Sequence, residues 1–240
     1  MQTSTITLVL MPGLEGTGEL FADFATALPD SFSTITLRYP HNASTYSELL
    51  TIVSAAVPHD KPFALVAESF STPLAIQFAA TRPPGLVTVV LSAGFASSPI
   101  RRWKRALASI FAPVIFRLPL SNAAARRMLA GSNADDALLA RILSVIRSVP
   151  AHTLIARLRQ VLNSDVRSDL RAITVPILYL QAARDKLINP ASLEEIRSIR
   201  HDVVLQTIDS PHLLLQSSPG KAAAVITPFI CSALDTLKAR

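Results

Sequence analysis

Three polar residues stand where a reactive site could assemble. Ser69 lies between a strand-like run at 63–67 and a helical pattern, Asp185 follows the run at 177–180, and His212 follows the run at 203–207. In a serine–histidine–acid arrangement, the imidazole takes the serine proton as the hydroxyl attacks a carbonyl, and the carboxylate orients the imidazole. The three residue types therefore predict acyl transfer through Ser69.

The turn at Ser69 has the features of a nucleophile elbow. A sharp turn between a strand and a helix lifts the serine Oγ above the sheet edge and points the helix N-terminus at the reacting carbonyl. The usual pattern is G-x-S-x-G because the two backbones pass close together there. In this chain Ala67 and Ser71 hold the small positions. A serine at a strand end is also a common helix cap, so this turn alone does not establish catalysis.

The glycine-rich turn at 12–18 follows the first strand and predicts an oxyanion site. In acyl-transfer enzymes one donor is the backbone N–H after the nucleophile, here that of Phe70, and the other comes from a loop on the neighbouring strand. Gly13 lets the chain turn so that the next amide faces the site. Leu14 and Phe70 are therefore the expected oxyanion donors.

A dinucleotide-binding loop is the competing interpretation of the same turn. Gly13, Gly16 and Gly18 follow a strand and precede a helix. Their order is G-x-x-G-x-G instead of the G-x-G-x-x-G fingerprint, and no acidic residue closes the second strand at the usual distance. The glycine pattern disfavours nucleotide binding.

The acid and the base each have a structural alternative. Asp185 lies just past a strand end, where α/β sites assemble, but it could also be a turn residue paired with Arg184 or Lys186. Asp209, three residues before His212, is a fallback acid that would have difficulty reaching Nδ1. A lone histidine is usually structural. The histidines that lack the placement of His212 are His41, His59, His152 and His201.

Short strand-like runs alternate with longer helical patterns along most of the chain. Such alternation predicts crossover connections and a mostly parallel sheet with helices on both faces, which is the α/β fold class. From about 98 to 172 the sequence is helix-rich without a convincing strand, and alternation resumes at Val175. This pattern predicts a helical lid inserted into one core domain. The predicted strands are 6–10, 34–38, 63–67, 86–91, 177–180 and 203–207.

The sequence resembles the α/β-hydrolases across nearly its whole length. The resemblance is carried by M-P-G-L-E-G-T-G, A-E-S-F-S, L-Q-A-A-R-D and S-P-H-L-L-L, and by the chain order Ser69, Asp185, His212. Two departures are Pro12, where many members have histidine, and the replacement of both elbow glycines. Neither departure removes a catalytic group.

The resemblance implies a carboxylesterase-like enzyme that works through an acyl-enzyme and needs no metal or organic cofactor. The expected core is 1–99 and 173–240, and the expected lid is 100–172. The substrate would be a carboxylic ester or thioester, including a carrier-bound or anionic acyl ester. Alternatives are a C–C bond hydrolase, an acyltransferase, or a weakly catalytic binding module for an acidic partner, because a fold does not determine chemistry.

Positive charge is concentrated in the expected lid. Residues 100–174 carry 13 basic and four acidic side chains, so this segment has a charge of +9 in a chain of +6. Arg101, Arg102 and Arg105 flank Trp103 at its start. Such a field steers anionic ligands, and the candidates are an anionic substrate, an acyl carrier protein or an anionic surface. Arginines that only solvate the outer helix faces are the alternative, and the interleaving of basic and apolar residues disfavours nucleic acid.

Nothing in the sequence predicts export or a membrane span. The N-terminus lacks the pattern of a signal peptide, and the apolar stretches at 106–116 and 222–234 are short and contain proline. Cys231 is the only cysteine, so no intramolecular disulfide forms. We expect Cys231 to be a small buried hydrophobe and the protein to be cytoplasmic.

Overall fold

Six parallel strands form one sheet in the order β2-β1-β3-β4-β5-β6. The structure, a computed structural model, describes residues 6–100, 105, 110 and 120–239. Each strand begins and ends within two residues of its predicted bounds. The strands are β1 (Ile6–Met11), β2 (Phe32–Thr36), β3 (Phe63–Glu68), β4 (Leu86–Ser92), β5 (Ile177–Ala182) and β6 (Val204–Ile208).

Helices connect the strands, and the described residues between 120 and β5 are also mostly helical. A 3₁₀ turn at Glu19–Phe21 precedes the first helix, and a π turn at Arg126–Ala130 follows the fourth. The architecture confirms the predicted fold class, an α/β-hydrolase sheet with an inserted helical lid. The helices are α1 (Ala22–Ala27), α2 (Tyr46–Ala56), α3 (Ser71–Ala80), α4 (Asn122–Ala125), α5 (Asp136–Ser148), α6 (Ala151–Asn163), α7 (Arg167–Ala172), α8 (Pro190–Ile199), α9 (Leu214–Ser217) and α10 (Pro219–Lys238).

The core has two layers, one on each face of the sheet. Successive residues of a strand point to opposite faces, so Val9 belongs to the cluster with α2, α3 and α8, and Leu8 belongs to the cluster with α1 and α10. Every residue of β1, β3 and β4 is buried, whereas the edge strands β2 and β6 are partly exposed. This burial explains the near-continuous apolar runs of the central strands.

Local sequence signals set where several helices begin. A capping box of Thr45 and Glu48 starts α2. The Thr45 hydroxyl accepts from the backbone N–H of Glu48, and the Glu48 carboxylate accepts from the backbone N–H of Thr45. The carboxylate of Asp135 caps α5. Asn189 caps α8, and Pro190 at the first helical position needs no hydrogen-bond partner for its nitrogen.

Helix α10 is longer than the apolar stretch seen in the sequence. Within the described part of the chain, it is the single helix whose length and composition would allow it to cross a membrane. Helices α5 and α6, which are bent by 96° relative to each other, are long and apolar enough only if they are counted as one span. One side of α10, including Ala222, Ile226 and Ile230, packs into the core against the sheet. Cys231 is exposed, so the expectation that it is buried is wrong: it lies on the side of α10 that faces away from this core.

Candidate active site

The turn between β3 and α3 holds Ser69 in a strained backbone conformation. Ser69 has a φ of 48°, in the left-handed region that residues other than glycine rarely adopt. Its N–H donates to the Ser92 carbonyl at 2.9 Å, and its carbonyl accepts from the Thr72 amide at 3.0 Å and the Thr72 hydroxyl at 2.8 Å. These bonds compensate the strain and fix the serine at the carboxyl end of the sheet.

Ser69, His212 and Asp185 form one hydrogen-bonded series. Nε2 of His212 lies 3.0 Å from Oγ of Ser69, and Nδ1 lies 2.8 Å from Oδ2 of Asp185. His212 is only 3% exposed, whereas the other four histidines are exposed. The arrangement can move a proton from the hydroxyl to the imidazole while the carboxylate holds the ring.

The geometry distinguishes between the two candidate acids. Oδ1 of Asp185 accepts from the amides of Leu187 at 2.8 Å and Ile188 at 3.1 Å, which leaves Oδ2 for the histidine. Burial by itself would raise the pKa of Asp185, but the hydrogen bond and charge of His212 and the two amides outweigh burial and lower that pKa. Asp209 is 74% exposed and pairs with Arg184 at 2.8 Å. The fallback acid is therefore not brought to His212.

The expected oxyanion donors lie beside Ser69. Leu14 and Phe70 line the same cavity as Ser69 and His212. The amide of Gly16 donates to the Gly13 carbonyl at 3.1 Å and closes the glycine turn. In the described chain, no protein acceptor engages the amide of Leu14 or Phe70, so both remain available to a developing oxyanion.

Two departures from the family pattern contact each other. Ser71, which replaces the second elbow glycine, is fully buried, and its hydroxyl donates to the Pro12 carbonyl. The same hydroxyl pairs with the Tyr39 hydroxyl at 2.7 Å, and the Tyr46 hydroxyl donates to the Phe70 carbonyl at 2.9 Å. Burial raises the pKa of Tyr39, so its phenol is a neutral donor. The extra hydroxyl thus joins the elbow to the glycine turn.

A buried carboxyl group, that of Glu68, directly precedes Ser69, and the sequence pattern did not predict its burial. Glu68 is 2% exposed, and Oε2 accepts from Nε2 of Gln216 at 3.0 Å. Burial, reinforced by the charge of Glu15, raises the pKa of Glu68 to about 8. Glu15 is also buried, and burial raises its pKa. The sequence feature that indicates this buried carboxyl group is a glutamate at the end of an otherwise apolar strand.

The basic residues of the lid have several different environments. Arg101, Arg102 and Trp103 lie outside the described residues, and Nε of Arg105 donates to the Ile100 carbonyl at 3.0 Å. Arg157 is fully buried, so it is not part of the surface charge. Ion pairs join Arg126 to Asp136, Arg141 to Asp23, and Arg167 to Asp165 and Glu195.

A cavity of about 750 Å³ opens above Ser69 and is mainly apolar. Its size lies within the range of pockets that hold small organic ligands. The sheet loops form its floor, and α5 and α6 form much of the wall. Apolar wall residues include Leu20, Phe95, Ile142, Leu143, Leu154 and Leu158.

Solved structures resemble this chain over almost its full length. They include a lipase-esterase related protein from Clostridium acetobutylicum, with 18% identity, a TM-score of 0.77 and coverage of 94% of this chain and 95% of that chain. The esterase EaEST from Exiguobacterium antarcticum has 13% identity, a TM-score of 0.78 and coverages of 95% and 92%. An enol-lactonase from Burkholderia xenovorans has 16% identity, a TM-score of 0.75 and coverages of 96% and 92%. At these identities the likeness shows the fold.

The sequence matches a known protein family, although no match was found among curated proteins. Residues 42–210, which are well over half of the chain, match the family described as serine aminopeptidase, S33. The chain therefore belongs to this S33 family of hydrolases, whose fold is the α/β-hydrolase sheet described above.

Proposed function

We propose that the protein is a serine esterase in which Ser69 is the nucleophile, His212 the general base and Asp185 the orienting acid. The observation that carries the proposal is the series of contacts at 3.0 Å and 2.8 Å through the buried imidazole. The esterase, lipase-esterase and enol-lactonase names of the structural neighbours are consistent with ester chemistry.

Acylation begins with the neutral imidazole of His212. Asp185 is ionised because its pKa is lowered, so Oδ2 accepts a hydrogen bond from Nδ1–H of His212 and leaves Nε2 unprotonated as the base. As Oγ of Ser69 attacks the ester carbonyl, Nε2 takes the hydroxyl proton and then gives it to the departing alcohol oxygen. In deacylation, Nε2 of His212 takes a proton from the attacking water and returns it to Oγ of Ser69 as the acyl–serine bond breaks and the acid product leaves.

The amides of Leu14 and Phe70 stabilise the negative charge that develops on the carbonyl oxygen. Phe70 immediately precedes α3, whose N-terminus contributes a favourable dipole. The bond from Ser71 to the Pro12 carbonyl keeps the two donor segments together. Each donor of this kind supplies about 3 to 4 kcal/mol of transition-state stabilisation in acyl-transfer enzymes.

The cavity favours an ester with a substantial apolar group. Its walls are mostly aliphatic and aromatic, and its volume of about 750 Å³ exceeds the needs of an acetyl group. The proposal keeps a core of 1–99 and 173–240 and a lid of 100–172, which supplies part of that wall. Thioester hydrolysis, C–C bond hydrolysis, acyl transfer and binding of an acidic partner stay predictions, because no contact of the described residues favours one of them.

The test is active-site labelling combined with ester turnover. A fluorophosphonate should modify Ser69, and Ser69→Ala should reduce turnover of p-nitrophenyl esters by at least about 10³-fold, since the other groups cannot replace the nucleophile. Ser47→Ala, at an exposed serine on α2, is the matched control and should keep full activity. Labelling at another serine, or turnover by Ser69→Ala near the wild-type rate, would contradict the proposal.

A further inference from the structure

Arg157 on α6 has a buried guanidinium that contacts only backbone oxygens among the hydrogen-bond partners described. The side chain is 0% exposed. Its Nη1 donates to two carbonyls of the glycine turn, and its Nη2 donates to three carbonyls of the loop after β2. The acceptors are the carbonyls of Leu14 at 3.1 Å, Glu15 at 2.8 Å, Tyr39 at 3.1 Å, Pro40 at 3.1 Å and Ala43 at 3.4 Å.

The guanidinium of Arg157 occupies the space that the missing side chain of Gly16 leaves in the glycine turn. Gly16 has a φ of +70°, and a Cβ at that position would lie 2.3 Å from Nη1 of Arg157. A side chain there would therefore displace the guanidinium as well as strain the backbone. Gly16 is needed for the approach of Arg157 and not only for the turn.

The contacts act on both sides of the proposed oxyanion donor. The carbonyl of Leu14 is held by Arg157, and the carbonyl of Pro12 is held by the Ser71 hydroxyl. The amide of Leu14 belongs to the peptide between these two carbonyls. With both neighbouring peptides restrained, this amide has a defined direction before substrate arrives, which is the condition for effective oxyanion stabilisation.

The energetics argue against an incidental position for Arg157. Removing a guanidinium from water is unfavourable, and hydrogen bonds and opposite charge must offset this cost. Burial lowers the pKa of Arg157, and the charge of Glu15 acts in the opposite direction. The guanidinium donates to backbone carbonyls of the glycine turn and of the loop after β2, so it fixes the backbone conformation of both segments directly.

We propose that Arg157 is a positioning residue that orients the Leu14 amide of the oxyanion hole from the inserted lid. This inference rests on the proposed function and deepens it. Arg157 acts through Leu14 and does not itself contact the reacting atoms. A helix of the lid thus completes the oxyanion site in addition to forming the cavity wall.

The experiment measures how fast a fluorophosphonate modifies Ser69, since formation of the phosphonylated serine also places an oxygen in the oxyanion hole. Arg157→Met should lower the second-order rate constant by about 10²-fold, the usual effect of losing or misplacing one donor. Arg157→Lys keeps the charge but cannot hold both groups of carbonyls, so about a 10-fold loss is expected. Arg159→Met, at an exposed arginine on the same helix, should match the wild type.

Two further measurements separate positioning from general destabilisation. In ester turnover, Arg157→Lys should lower kcat with little change in KM, and its affinity for a trifluoromethyl ketone should fall while its affinity for the product acid stays constant. Glu15→Gln added to Arg157→Met should not restore labelling, since it removes a charge and not the need for the carbonyl contacts. Rates are measured below the unfolding temperature, and Arg157→Lys alone decides if Arg157→Met does not fold.

The possible outcomes have distinct meanings. Equal labelling rates in the wild type and in the folded Arg157 variants would overturn the positioning role and leave the esterase proposal intact. Recovery of Arg157→Met by Glu15→Gln would overturn it in favour of charge compensation. Failure of the wild type to be labelled at Ser69 would overturn the proposed function and this inference together.

Discussion

Glu68 should make the stability of the protein fall as the pH rises. Burial and the charge of Glu15 raise its pKa from an ordinary 4.5 to about 8. Between these values the folded protein keeps a proton that the unfolded chain has released, so the free energy of unfolding decreases with increasing pH. The stabilisation associated with this proton is fully present below about pH 4.5 and is lost as the pH rises through 8.

The magnitude follows from the size of the shift. One unit of pKa difference corresponds to about 1.4 kcal/mol, so between pH 5 and pH 9 this group should remove on the order of 4 kcal/mol from the free energy of unfolding. Glu68→Gln imitates the protonated group. The amide oxygen can accept from Nε2 of Gln216, as the carboxyl oxygen does in the structure.

Urea unfolding at pH 5, 7 and 9 measures the effect. Glu68→Gln should have nearly wild-type stability at pH 5 and should exceed the wild type by about 4 kcal/mol at pH 9. Glu194→Gln, at an exposed glutamate on α8, is the control for a change of net charge. If wild type and Glu68→Gln lose stability in parallel from pH 5 to pH 9, Glu68 is not held neutral by the fold and the reasoning is refuted.

Three other predictions concern catalysis and the lid. Asp185→Asn should lower kcat by about 10³ to 10⁴-fold because the imidazole loses its orienting acceptor, whereas Asp209→Asn should keep wild-type kcat; the reverse order would identify the wrong acid. In a series of p-nitrophenyl esters, kcat/KM should rise by up to about 4-fold for each added methylene until the cavity is filled, and a flat series would contradict an apolar acyl site. If the basic lid steers acidic ligands, reversing Arg101, Arg102 and Arg105 to glutamate should lower kcat/KM for an anionic ester at low salt and leave a neutral ester unchanged, and an equal response of both esters would exclude steering.

The strand pattern and the order of the polar residues could be predicted from the sequence. Buried parallel strands need continuous apolar runs, and the carboxyl ends of such strands meet at one edge of the sheet. A serine, an aspartate and a histidine placed just after three different strands are therefore expected at the same edge. The structure places Ser69 and His212, 143 positions apart in the chain, within 3.0 Å.

The tertiary structure alone decided which charged groups are buried and what they contact. By residue type, Arg157 belongs to the basic residues of the lid. It lies, however, on the apolar stripe of α6 with Leu154 and Leu158, and this spacing is the sequence feature that indicates burial. Its acceptors are carbonyls more than 100 residues away, and a backbone carbonyl has no signature in the residue type. The raised pKa of Glu68 likewise depends on Glu15 and on the packing around both carboxyl groups. Such effects arise from burial and distance in the folded chain, which local patterns of residue type do not contain.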